Sequence, residues 1–305
     1  MSLGGAVLVG VLTAAQARIN GQLGVRLEDG LVAGAVSFGS GLLILIVLSL
    51  ALPVGRRGFS ALVSGVRSGG IPWWMLAGGA AGALTVATQG IAVGIIGVSL
   101  FTVGVVAGQT VCGLALDRAG YGPAGIVAVT LPRVAGGALA LVAVGIAVVG
   151  DGLSGIPLWL LLLTLATGVG VAWQQATNGR LKQRVGTPLT ATLVNFIGGT
   201  LILAAAAAVH VAVVGTPAAA PTEPWLYFGG AIGVAYIVLS AALVAHTGVL
   251  LLGLGVVAGQ LIASFVLDVL WPAPAGPGLV QAVAMVVVAL LSVVVATVPW
   301  RRLRR

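Results

Sequence analysis

The chain has 305 residues, of which 59% are hydrophobic and only 7% charged, and its formal net charge is +8. This composition excludes a soluble globular protein, because soluble chains carry about 25% charged residues. The single cysteine, Cys112, allows no intramolecular disulfide. We also expect no metal site and no cofactor, because His, Cys, Asp and Glu are few and scattered along the sequence.

The apolar runs predict an all-α integral membrane protein with ten spans, since about 20 apolar residues cross a bilayer as a helix. Turn-forming or charged residues separate the spans. In chain order the spans cover roughly residues 3–20, 31–52, 73–92, 95–116, 132–150, 157–178, 189–213, 225–244, 248–268 and 278–299. The first run continues into Gln, Arg and Asn, so we expect a retained helix and not a signal peptide.

The basic residues predict the orientation of the chain. If the N-terminus is cytoplasmic, 12 of the 14 Lys and Arg lie on the inner side, and only Arg18 and Arg26 lie outside. Basic loops remain cytoplasmic. We therefore expect a multi-pass membrane protein with both termini in the cytoplasm, and we attribute the net charge to these loops and to lipid contact, not to nucleic-acid binding.

Two sequence echoes indicate an internal duplication. The hexapeptide Gly-Val-Val-Ala-Gly-Gln ends at Gln109 and again at Gln260, and an aspartate follows each copy eight residues later. The pattern Gln-x-x-x-Asn-Gly begins at Gln16 and again at Gln174, an offset of 158 residues. We predict two five-helix repeats, residues 1–151 and 152–305. Because five is odd, the second repeat must be inverted, an arrangement typical of secondary transporters that work by alternating access.

Several motifs recur in both halves and carry a resemblance to a known family. They are Gln16, Asn20-Gly21, Ser37-Phe38, Pro72-Trp73-Trp74, Gly108-Gln109, Asp117 and Arg133, then Gln174, Asn178-Gly179, Asn195-Phe196, Pro224-Trp225, Gly259-Gln260 and Asp268. The chain resembles the YdcZ-type family of the drug/metabolite transporter superfamily. It departs from the pattern in the last span, where Gln281 stands near the place of Arg133. The resemblance implies an EamA-like (DMT) fold and an inner-membrane exporter of small organic molecules.

Amide side chains are the candidate lining of a substrate path, because no carboxylate lies at mid-membrane depth in the predicted spans. We predict an outer cluster of Gln16, Asn20, Gln89 and Gln260, and an inner cluster of Gln109, Gln174 and Asn178 with Ser240 nearby. Trp173 and Tyr236 are predicted aromatic walls. Intramembrane polar residues usually face a cavity or a helix interface, so hydrogen bonding between helices remains an alternative role. Such a path favours a neutral or zwitterionic substrate.

Small-xxx-small glycine pairs predict close helix crossings, because they let helices approach in lipid. These pairs are Gly78 with Gly82, Gly104 with Gly108, Gly229 with Gly233, and Gly255 with Gly259. Their repetition in both halves suggests that span 4 crosses span 9 and that span 3 crosses span 8.

Asp117 and Asp268 occupy equivalent positions near span ends, where they could be peripheral proton-coupling sites or anchors of helix ends. Other function classes remain open at this stage: an accessory membrane protein without transport of its own, a channel, or an enzyme. The enzyme is disfavoured because no nucleophile, metal or acid–base cluster is present in the sequence. One chain is sufficient for a complete pathway, and a homodimer through spans 5 and 10 remains an alternative.

Overall fold

The computed structural model describes residues 2–123, 125–126, 128–148 and 157–297. Within these, side chains are described everywhere except at residues 2–3, 147–148, 240–254 and 296–297. The predicted repeat boundary after Asp151 and the predicted contribution of the Ser240 side chain lie outside the described part.

The described chain is helical and contains no β-strand. In chain order its α-helices are α1 Ser2–Leu27, α2 Gly30–Ala51, α3 Pro53–Arg67, α4 Gly78–Arg118, α5 Leu131–Val148, α6 Leu158–Val185, α7 Pro188–Val214, α8 Gly229–Leu270 and α9 Leu279–Thr297. Short 3-10 helices, Trp73–Leu76 and Pro224–Tyr227, precede α4 and α8. Apart from α3, which occurs only in the first half, the same order appears twice: two helices, a 3-10 helix, a very long helix and a shorter helix.

The long helix α4 contains the predicted spans 3 and 4, and the chain breaks at Gly97, where φ is 81° and ψ is 164°. Glycine suits this position because a positive φ is strained for residues with a Cβ atom. The sequence placed the break three residues earlier, at Gly94. It also began span 3 at Trp73, which instead belongs to the 3-10 helix.

The long helix α8 also contains two predicted spans, and its contacts with α1 show that it reverses direction. The contacting pairs are Asn20 with Gly229, Gln16 with Gly233, Ala6 with Gly255 and Gly10 with Gln260. The beginning of α8 therefore runs antiparallel to α1 and its end runs parallel to α1. The chain must turn back between Gly233 and Gly255.

The two halves of the chain interlock. Helix α1 packs chiefly against α8, and α6 packs chiefly against α4, while α2 meets α7 and α5 meets α9. The first helix of each half thus packs against the long helix of the other half. This exchange extends the apolar interior across both halves, with Phe101, Leu160, Leu261 and Met285 in one buried cluster.

The helices are apolar enough for a membrane. Within the described part of the chain, four could span one by length and composition: Gly30–Ala51, Trp73–Arg118, Leu158–Val185 and Pro188–Val214. The prediction of an all-helical membrane protein is confirmed at this level. The count of ten spans and the inverted arrangement remain predictions.

Helix α3 occupies residues that the sequence predicted to be a break between spans. Pro53 stands at its first turn, where proline is well tolerated because no intrahelical partner is needed for its missing N–H. Helix α3 is not evident as a long apolar run, because arginine, serine and glycine interrupt its apolar residues. The corresponding link of the second half, residues 215–223, forms no helix.

The helix ends define two faces of the molecule. The Gly97 face contains the Gly97 break, the ends of α1 and α7, and the end of α8. The Arg180 face contains α3, the ends of α4 and α6, and the start of α5. Described basic residues collect on the second face: Arg56, Arg57, Arg67, Arg118, Arg133, Arg180, Lys182 and Arg184.

Candidate functional site

A first buried polar cluster, the Gln16 cluster, contains Gln16, Asn20, Ser37 and Gln89. Asn20 Nδ2 donates to Gln89 Oε1 at 2.6 Å, and Gln16 Nε2 donates to the backbone oxygen of Gly229 at 2.9 Å. The four side chains are at most 3% exposed. The Asn20 Oδ1 and Ser37 Oγ atoms are buried without a hydrogen-bond partner. These two atoms leave hydrogen-bonding capacity unused in the cluster, an acceptor at Asn20 and a hydroxyl at Ser37 that can donate or accept.

A second cluster, the Gln174 cluster, repeats this arrangement with Gln174, Asn178 and Asn195. Gln174 Nε2 donates to Asn195 Oδ1 at 2.8 Å, and Asn178 Nδ2 donates to the same oxygen at 3.2 Å. Asn195 is 3% exposed, whereas Gln174 and Asn178 are half-buried. The offset of 158 residues relates Gln174, Asn178 and Asn195 to Gln16, Asn20 and Ser37, so the two clusters are equivalent sites of the duplication.

An aromatic pair lies between the two clusters. The rings of Phe38 and Phe196 are stacked, with centroids 4.6 Å apart. The Phe38 ring lies beside Gly82, which also borders the Gln174 side chain, and the Phe196 ring lies beside Gly233, which also borders Gln16. The stacked rings therefore separate the two amide clusters.

Four of the predicted glycines border these clusters. Gly229 faces Asn20 and Ser37, Gly233 faces Gln16, Gly78 faces Asn178, and Gly82 faces Gln174. Any side chain at these positions would overlap the amides. The glycines of spans 3 and 8 thus approach α6 and α1, and the predicted crossing of span 3 with span 8 through these glycines is wrong.

The other four glycines form two equivalent helix crossings. Gly104 and Gly108 pack against Thr164 and Leu165 of α6, whereas Gly255 and Gly259 pack against α1. The predicted crossing of span 4 with span 9 is therefore also wrong as a glycine contact. The reason is that Gly168 on α6 and Gly10 on α1 complete these interfaces with glycines of their own, so the backbones come into contact there.

The structure does not bring Gln109 and Gln260 into the clusters to which the sequence assigned them. Gln260 lies where α8 crosses Gly10, and ten residues of α1, about 15 Å, separate Gly10 from Asn20. Gln109 lies at the equivalent crossing, and its Nε2 donates to Gln175 Oε1 at 3.0 Å on the exposed side of α6. Trp173 and Tyr236 are half-buried on α6 and α8.

The two equivalent aspartates make different contacts. Asp268 accepts hydrogen bonds from the backbone N–H groups of Val98 at 2.8 Å and Ser99 at 2.6 Å. It thereby caps the part of α4 that follows the Gly97 break, and Arg18 interacts with it electrostatically. Asp117 instead pairs with Arg133 at 2.9 Å near the surface.

Each face carries its own set of contacts made by charged side chains. At the Arg180 face, the Arg180 guanidinium lies 5.0 Å from the ring centre of Tyr121 and 5.7 Å from that of Trp74. It also donates to Gly120 O at 2.9 Å. At the Gly97 face, Arg26 pairs with Glu223 at 2.5 Å, and His210 pairs with Asp29 at 2.9 Å.

Four residues of the family motifs, Ser37, Phe38, Asn195 and Phe196, were not predicted as site residues. The signal was available, because both pairs obey the offset of 158 that relates the glutamines. Among the described residues, no group of three or more His, Cys, Asp or Glu side chains could hold a metal ion.

A known family matches both halves of the sequence. The sequence matches the DMT_YdcZ family, described as "Putative inner membrane exporter, YdcZ", over residues 1–147 and 159–296. The chain belongs to this family. The two matched stretches correspond to the two interlocking halves. The first and second helices of each stretch carry the equivalent residues of one amide cluster. No curated protein matches the chain. Membership of the DMT_YdcZ family makes this an inner-membrane protein of an exporter family and not of an enzyme family.

Proposed function

We propose that this DMT_YdcZ protein exports a small neutral or zwitterionic organic molecule by alternating access. In this proposal the chain crosses the inner membrane ten times, with both termini and the Arg180 face in the cytoplasm. The concentration of basic residues on the Arg180 face supports this orientation. The two equivalent sets of helix contacts support an inverted repeat, because such symmetry supplies two states of similar energy.

The observation that carries the proposal is the pair of amide clusters on the two sides of the Phe38–Phe196 stack. Amides and hydroxyls offer donors and acceptors without fixed charge, so a strongly charged ion would find no counter-charge beside them. The aromatic rings offer apolar faces to the carbon skeleton of the same substrate. The structure's partial exposure of Gln174 and Asn178 and its full burial of Asn20 favour a state that opens toward the cytoplasm.

Asp268 is the better candidate of the two aspartates for proton coupling. Its carboxylate joins the end of α8 to the Gly97 break, and Arg18 is the charged group that faces it. Protonation would remove the charge that strengthens both hydrogen bonds and would release α8 from α4. Asp117, which is paired with Arg133 at the opposite face, would serve the same role less directly.

The test is an untargeted comparison of metabolites released by cells that express the intact protein or the Gln16→Leu/Gln174→Leu variant. We expect a compound released by the intact protein to disappear from the medium with the variant, because each cluster loses an amide donor. Purified protein in vesicles must then move that compound with saturable kinetics.

The matched control is Gln175→Leu, which changes the neighbouring exposed amide on the same helix. It should retain most of the release at equal membrane abundance. Normal release by a folded Gln16→Leu/Gln174→Leu protein would rule out the clusters as the path. Flux that rises linearly without saturation would indicate a channel and not a carrier.

A further inference from the structure

The side chains of α3 are distributed in three strips along the helix. Gly55, Gly58 and Leu62 are buried against the rest of the protein. Phe59 and Val66 are 48% and 44% exposed, and the spacing of seven residues puts them on one side of the helix. This exposed apolar strip lies next to the packed strip, so α3 is more apolar than its contacts within the chain require.

The third strip of α3 is polar and strongly basic. Arg56, Arg57 and Arg67 are exposed. Residues 52–72 contain no Asp or Glu, and none of the ion pairs within the described part of the chain involves these arginines. A helix with an apolar strip beside a basic strip suits the boundary between acyl chains and headgroups, where each strip meets its preferred surroundings.

The packed strip joins α3 to the helix ends beside the Gln174 cluster. Gly58 fits against the side chains of Thr187 and Thr190 at the start of α7. Leu62 belongs to a buried cluster with Leu181 and Val185 at the end of α6. These α6 residues follow Asn178 by one to two turns. A movement of α3 would therefore displace the end of α6 at the Arg180 face.

The duplication supplies an internal comparison. The link of the second half that corresponds to α3 is residues 215–223, which has no arginine and no helix. Basic residues in an irregular loop are sufficient to set the orientation of a membrane protein. In α3 the arginines instead lie on a helix that is packed against the rest of the protein. The ordered basic strip therefore calls for a partner of opposite charge along the membrane surface.

We propose that α3 is a docking site for anionic phospholipid headgroups, which hold it against the ends of α6 and α7. The inference depends on the proposed membrane orientation but not on transport, and lipid binding is measured without any substrate. Each arginine should contribute about a fivefold gain in affinity for anionic lipid, so two should contribute roughly 25-fold.

The experiment measures how much phosphatidylglycerol or phosphatidylcholine the detergent-purified full chain retains, by native mass spectrometry over a lipid titration. We expect the intact chain to prefer phosphatidylglycerol. Arg56→Gln/Arg57→Gln should lose roughly 25-fold in apparent affinity for it. The matched control, Arg118→Gln/Arg184→Gln, removes two exposed charges of the same face outside α3 and should retain the affinity.

Equal losses in the two double variants would show a response to overall charge and would overturn the proposal, as would equal retention of the two lipids by the intact chain. If the Arg56→Gln/Arg57→Gln variant does not fold, the lipid preference and salt dependence of the intact chain still test the proposal. Raising the salt concentration must weaken phosphatidylglycerol retention, because exposed charges are screened, and Arg56→Lys/Arg57→Lys must keep most of it. Retention that is insensitive to salt would contradict the proposal.

Discussion

Phe38 and Phe196 are equivalent residues of the two halves, and their rings stack on each other, with planes inclined by 24°. Each ring also contacts a glycine of the other half: Phe38 packs against Gly199 and Phe196 packs against Gly41. Equivalent residues of the two halves are therefore in direct contact here, between the two amide clusters. A contact that both halves share equally is suited to a pivot between two related states.

The aromatic pair predicts a symmetric response to mutation. Phe38→Leu and Phe196→Leu should destabilise the protein to a similar extent. A double-mutant cycle of thermal unfolding should give a coupling of about 0.5–1.5 kcal/mol, the usual contribution of an aromatic pair beyond its buried area. Effects that simply add in the double variant would show that the stacking contributes nothing beyond separate burial.

The helix crossings predict that two glycines cannot be enlarged. A Cβ atom on Gly168 would lie 2.7 Å from Gln109 N, and one on Gly10 would lie 2.9 Å from the carbonyl carbon of Gly259. Gly168→Ala and Gly10→Ala should each lower the free energy of unfolding by about 1–3 kcal/mol, the usual cost of overpacking. Unfolding in mild detergent measures this.

Gly113→Ala is the control for these glycine variants, because a Cβ atom there has no neighbour within 4 Å. It should be neutral or stabilise α4 by up to about 1 kcal/mol, since alanine is the better helix former. A destabilised Gly113→Ala protein would mean that glycine content, and not the crossings, sets the response.

The guanidinium stacked on Tyr121 at the Arg180 face predicts local shielding of Thr177, which is buried and whose hydroxyl lies 3.0 Å from that of Tyr121. In a chain with Cys112→Ser and Thr177→Cys, Arg180→Ala should increase the rate at which a water-soluble thiol reagent labels the new cysteine, because Tyr121 loses its cationic neighbour. Arg180→Lys should restore the protection only in part, since lysine lacks the planar group that stacks on aromatic rings. Arg184→Ala, an exposed change in the same helix, should leave the rate unchanged.

The difference between the two aspartates predicts unequal effects on stability. Asp268→Ala removes the acceptor of two backbone N–H groups and should cost about 1–3 kcal/mol. Asp117→Ala breaks an ion pair whose side chains are 29% and 35% exposed and should cost at most about 1 kcal/mol. Thermal unfolding of the two variants compares them, and the opposite order would refute the capping role of Asp268.

Much of the candidate site could be predicted from the offset of 158 residues, which links Gln16 with Gln174 and Asn20 with Asn178. The same offset relates Ser37 to Asn195. These two residues were not predicted as site residues, because neither stands out within its apolar run. Gln109 and Gln260 were assigned to the wrong places. Their depth along the predicted spans said nothing about which helix lies beside them, and close packing at Gly168 and Gly10 decides that.

By itself, the sequence determined that this is a membrane-embedded helical chain written twice, because hydropathy and repeated motifs are local properties of the residue order. Only the tertiary structure decided that α1 joins α8 and α6 joins α4, since a repeat specifies which residues are equivalent but not which half they contact. It also decided that Asp268 caps α4 and that α3 is a helix. Both depend on partners distant in sequence, such as the N–H groups at Val98 and Ser99 and the side chains of Thr187 and Thr190.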